Sequence, residues 1–138
     1  MNGSADATGV IWHVIESGDR WHQTLRGLGS AGWLKSPRAE QWRPGQLDGL
    51  LARLDEFANT RQVVVWEVPV APDRFVEILA GVAGIRDRHG RVIQVAHPEG
   101  EGWTRWQWHQ GGLVLQEVGV SVLLADLWSI RTIATRLG

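Results

Sequence analysis

A chain of 138 residues, 43% of them apolar, is sized for one domain around one core. Its net charge of -1 gives no electrostatic basis for binding nucleic acid or an anionic membrane. With no cysteine there is no disulfide, thiolate nucleophile or zinc-thiolate centre, which fits a reducing compartment.

The chain opens on MNGSADATG, which lacks the basic-then-apolar pattern of a secretion signal. Residues 1–9 are expected to be a flexible leader and residues 10–138 a single α/β domain. No apolar run is long enough to span a membrane, and a cytoplasmic location is expected. Val10–Glu16 is strand-like. Ser17 follows as a candidate helix cap, and Asp19 favours the positive end of the helix dipole. The helix is expected from Gly18 to Leu28, with Trp21, Leu25 and Leu28 on one face. Trp33–Pro44 is the least regular part, with Trp33-Leu34 as a short edge strand between prolines and glycines. From Gly45, the residues Leu47, Leu50, Leu51, Leu54 and Phe57 recur at helical spacing.

Gln62–Pro69, QVVVWEVP, is a short β-branched and aromatic run with a helical segment just after it. That pattern predicts a strand covered on both faces. Glu67 breaks the run near the strand's carboxyl end, where open α/β sheets place their ligands. It is either a site residue or the solvated tip of the strand. Pro72 suits a first helical position, and Phe75, Ile78, Leu79, Val82 and Ile85 form the next stripe. Arg86, Arg88 and His89 gather at its end, with Gly90 placed to stop the helix. Arg91–Ala96 is a further buried strand. Trp103–Val118 has helical character, with a break or bend expected at Gly111-Gly112, because each helical glycine costs about 1 kcal/mol. Val120–Leu124 is the last strand, and a closing helix is expected from Asp126 or Ser129 to Leu137.

Strands alternating with helices predict a parallel sheet with helices on both faces. The expected fold is a flavodoxin-like three-layer sandwich of five parallel strands in the order 2-1-3-4-5. His97 follows the fourth strand on the same sheet edge as Glu16 and Glu67. A metal site of those three is chemically conceivable, but no tight ligand spacing supports it. No GxSxG elbow surrounds Ser17, and neither ESGDR nor GLGSAG is a phosphate-binding motif. No catalytic residue, metal or cofactor is assigned.

The stretch VVVWEVP-VAPDRFVEILAGVAGIRDRHGRVIQVA, followed by LQEVGVSVLLAD, resembles a response-regulator receiver domain in its order of strand, acid, proline, helix and strand. That resemblance places the phospho-acceptor on Glu67 and the metal-binding acidic pair on Ile15 and Glu16. It places the hydroxyl residue on Ala96 and the lysine-proline pair on Ala125 and Asp126. The pocket positions Glu16, Glu67, Ala96 and Ala125 thus depart together from the family's phosphorylation chemistry. Glutamate sits one methylene too far out, and magnesium needs well-placed carboxylates. Phosphoryl transfer also needs positioned charge, and the only lysine is Lys35, in the other half of the chain. The resemblance implies a degenerate receiver that is not phosphorylated, with Glu67 as a fixed charge.

Trp103, Trp106 and Trp108 form the most unusual cluster. Trp103 and Trp106 are spaced to share a helical face, with Trp108 pointing elsewhere. Tryptophan is enriched at interface hot spots and is equally at home in a core. The resemblance puts Trp103, Trp106 and Trp128 near the surface of the fourth helix, fifth strand and fifth helix, where receivers pair. The implied function is a non-enzymatic signalling or scaffold module contacting itself or a protein partner. The alternative is a small flavodoxin-like enzyme or ligand binder using the cleft near Glu16, Glu67 and His97.

Overall fold

Five parallel strands make the sheet: β1 (Val10–Ile15), β2 (Arg38–Trp42), β3 (Arg61–Val68), β4 (Ile93–Pro98) and β5 (Val122–Leu123). They lie in the order β2-β1-β3-β4-β5, the flavodoxin-like arrangement expected. Four helices run between them: α1 (Arg20–Ser30), α2 (Leu47–Glu56), α3 (Pro72–Arg88) and α4 (Arg105–Val118). The structure is a computed structural model that describes residues 9–30, 38–100 and 102–124. The expected leader up to residue 8, Trp33-Leu34, Lys35, Ala125, Trp128 and the closing helix lie outside those residues.

Side chains alternate across a strand, so β3 feeds two cores at once. Val63 and Val65 join Trp12, Val14 and Val95 under Trp21 and Leu25 of α1. Val64, Trp66 and Val68 join Ile15 and Ala96 under Leu50, Leu54, Val82, Ile85 and Leu115 of α2, α3 and α4. The result is three layers, with β3 buried from Gln62 to Val68.

Three buried polar side chains pin helices to strands. His13, 0% exposed, accepts at Nδ1 from the Trp42 indole N–H at 3.2 Å, so its proton sits on Nε2. That Nε2 donates to Gln62 Oε1 at 2.8 Å. Gln62 in turn donates to the carbonyls of Leu54 at 3.2 Å and Phe57 at 2.9 Å, at the end of α2. Burial lowers the His13 pKa and keeps the ring neutral. Gln94 repeats the device, accepting from Trp66 Nε1 at 2.9 Å and donating to Val82 O at 3.0 Å on α3.

Several local expectations are corrected. The second strand forms at Arg38–Trp42, inside the stretch expected to be irregular, and pairs with β1 from Ile11↔Arg38 to Ile15↔Trp42. As a terminal strand with mixed residues it carries no apolar run to announce it. Helix α4 is continuous through Gly111 and Gly112. A Cβ on Gly111 would lie 3.1 Å from the Trp103 indole, and one on Gly112 would lie 2.5 Å from Leu123. These glycines admit neighbours rather than break the helix. Helix α1 starts at Arg20, and its cap is Glu16 rather than Ser17. Strand β4 runs two residues later than expected, to Pro98, and the helix before it ends without a left-handed glycine at Gly90.

Candidate functional site

The carboxyl ends of β1, β3 and β4 bring Glu16, Glu67 and His97 to one side of the sheet, the side covered by α1. Glu67 pairs with His97 in register, and Ile15 pairs with Trp66, which sets Glu16 beside Glu67. All three are buried: Glu16 1%, Glu67 8% and His97 5% exposed.

Glu16 is committed to α1. Its Oε1 accepts from Trp21 N–H at 2.9 Å and its Oε2 from His22 N–H at 3.0 Å. Gln41 adds a donor to Oε2 at 3.3 Å. A carboxylate in this position satisfies the orphan amides of the first turn and sits at the positive end of the helix dipole. Its acceptor sites are therefore spent on structure.

Glu67 is held from the β1–α1 loop and from the first residue of α1. Ser17 N–H donates to Oε1 at 3.3 Å and the Arg20 guanidinium to Oε2 at 3.4 Å. Burial pushes its pKa up, as do the carboxylates of Glu99 and Glu16, while the Ser17 N–H and Arg20 pull it back. Arg20, not a lysine, is the cation beside this strand-end acid. The signal for it was available, since a basic residue at the start of α1 stands just past the end of β1.

The folded protein thus holds a proton on Glu67 more tightly than the unfolded chain does. Ionisation costs stability above the folded pKa, and the cost disappears as pH falls to the ordinary carboxylate value. Glu67→Gln is accordingly expected to be more stable than wild type at neutral pH, with the gap closing in acidic buffer. Urea denaturation of both proteins across that range checks this. A variant less stable at every pH would show that the Arg20 pair outweighs burial.

His97 packs edge-on against Trp21, with ring centroids 4.9 Å apart. Ala96, placed on the hydroxyl position by family resemblance, faces the opposite core and pairs with Leu123. The residue that shares Glu67's face on the neighbouring strand is His97. The one-residue difference follows from side-chain alternation along β4. Among the described residues, no group of three or more His, Cys, Asp or Glu side chains is placed to hold a metal ion, so Glu16, Glu67 and His97 do not assemble a ligand set.

The tryptophans divide. Trp103 precedes α4, whose cap is Thr104 in a reciprocal arrangement with Gln107, so it shares no helical face with Trp106. Its indole N–H donates to Val68 O at 2.8 Å, and its ring meets Phe75 at 5.7 Å and Trp108 at 5.3 Å. Trp103 and Trp108 thus pack, partly buried, against the core beneath α2, α3 and α4, with Trp103 at the carboxyl end of β3. Trp106 is different: it is 69% exposed, and Leu113 and Val114 of the same helix are 52% and 40% exposed. Leu113 lies two turns from Trp106, so they occupy one outward stripe.

No protein-family model matches the sequence, and no curated protein matches it. Solved structures do resemble it. A CheY-like protein (tadZ) from Pseudomonas aeruginosa PAO1 superposes with a TM-score of 0.62 at 20% identity, covering 93% of this chain and 92% of that one. A pilus assembly-related protein from Burkholderia pseudomallei K96243 superposes with a TM-score of 0.63 at 15% identity, covering 96% and 90%. The chain has a CheY-like, receiver-type fold.

Proposed function

We propose that this chain is a receiver-like module that acts by protein–protein contact, first of all with a second copy of itself, and takes no phosphoryl group. The contrast between its two candidate surfaces carries the proposal. At the strand ends the acids are turned inward: Glu16 caps α1, and Glu67 is held by Ser17 and Arg20. On α4, Trp106, Leu113 and Val114 stand out in solvent. A large exposed indole flanked by aliphatic side chains suits an interface anchor. Glu67, buried and held by the Ser17 N–H and Arg20, takes the role of a fixed group where receivers carry a switchable one. No catalytic step is assigned.

Light scattering with size-exclusion chromatography tests this on wild type and Trp106→Ala, each with and without Mg²⁺ and acetyl phosphate. Wild type is expected to self-associate. The substitution is expected to weaken association by about 30-fold or more, the effect of losing a hot spot of about 2 kcal/mol. The phosphodonor is expected to change neither protein. A wild-type monomer that changes state with Mg²⁺ and acetyl phosphate would overturn the proposal.

A further inference from the structure

On the sheet face opposite Glu67, an apolar cavity of about 320 Å³ opens between α2 and α3. Its walls are Ile15, Trp42, Leu47, Leu50, Trp66 and Ile78. The polar residues beside it, Arg43, Gln46 and Glu77, are all solvent-exposed. The volume falls at the small end of ligand pockets, which run roughly 300–1,000 Å³.

The walls are fixed, so the space is not an accident of loose side chains. Trp42 is anchored through its N–H to His13, and Trp66 through its N–H to Gln94. Each indole also leans into a glycine slot on the neighbouring helix. A Cβ on Gly49 would come within 3.1 Å of Trp42, and one on Gly81 within 2.7 Å of Trp66. The rim is held as well. Arg43 donates from Nη1 to the carbonyls of Glu16, Ser17 and Gly18. Gly45, at φ 99°, makes the turn into α2 that a side chain would strain. Side chains that are already ordered cost nothing further to order when a ligand arrives.

We infer that this cavity binds a small, uncharged, aromatic ring compound. Apolar walls cannot replace the hydration of a charge, which excludes an ionic core to the ligand. Two indoles offer faces and edges that favour another aromatic ring over a flexible chain. Water gains little there, because apolar walls give it few partners. The site is separate from the α4 stripe and does not rest on the proposed contact function.

The probe is N-phenyl-1-naphthylamine, a neutral two-ring fluorophore whose emission rises in apolar surroundings. Wild type is expected to bind one equivalent saturably. Ala80→Phe places a ring on the cavity wall from a position that is itself exposed, and is expected to weaken binding at least ten-fold. Trp106→Ala is expected to leave it unchanged. Amide shift mapping on wild type needs no variant, and the shifts are expected over residues 45–50 and 77–81. No saturable emission, undiminished binding by Ala80→Phe, a loss that follows Trp106→Ala, or shifts confined to α4 would each overturn the inference.

Discussion

Gly81→Ala is expected to lower stability by about 1–3 kcal/mol, the usual cost of forcing an extra methyl into a packed core. The new Cβ would sit 2.7 Å from Trp66 Cη2, inside any real contact distance. The indole is tethered, since its N–H donates to Gln94 and Gln94 donates to Val82 beside Gly81. Gly84, on the same helix, meets nothing within 4 Å. Gly84→Ala is therefore expected to stabilise by about 0.5–1 kcal/mol, through helix propensity alone. Trp66→Phe removes the ring that clashes, so the double variant Trp66→Phe with Gly81→Ala should be more stable than the two single costs added together. Urea denaturation of the four proteins measures the coupling. Additive costs would show that the indole and the helix do not compete for the same space.

Glu16→Ala is expected to cost about 2–3 kcal/mol, because a buried carboxylate accepting two backbone amides is a charge-assisted helix cap. The loss strands the N–H groups of Trp21 and His22 at the start of α1. Glu16→Gln keeps one acceptor oxygen and should lose about half as much. Thermal melts followed by circular dichroism check both. A silent Glu16→Ala would free this carboxylate from its structural role and return it to the strand-end cleft as a site residue.

Much of the fold was legible because it is written in periodicity. The runs Val63–Val68 and Val10–Ile15, and the helical stripes of α2 and α3, each carry a regular apolar pattern. Strand β2 carries none. Arg38–Trp42 has only Ala39 and Trp42 as apolar residues, and its strand character comes from pairing with β1, which is a tertiary fact. The glycines of α4 pointed to a break because their local cost is visible in sequence, whereas the Trp103 and Leu123 side chains that fill their places are not. The placement was legible in outline, since Glu16, Glu67 and His97 do come to the carboxyl ends of β1, β3 and β4 on one side of the sheet. Its detail was not. Whether Ala96 or His97 faces Glu67 depends on the register of β4, and whether Ser17 or Glu16 caps α1 depends on which way the β1–α1 loop turns. Of the three neighbouring tryptophans, only Trp106 is exposed, because Thr104 rather than Trp103 opens the helix.

Strand β2 has one more consequence. It closes one side of the sheet, and a bare strand there would invite another chain to add to it. This one is five residues long and bears Arg38 and Glu40. Glu40 is gripped by Arg53 through three contacts of 2.7 to 3.1 Å, and Arg38 and Arg53 both lie over the Phe57 ring. An incoming strand would have to settle beside this charged lattice. Growth into fibrils along that margin is disfavoured.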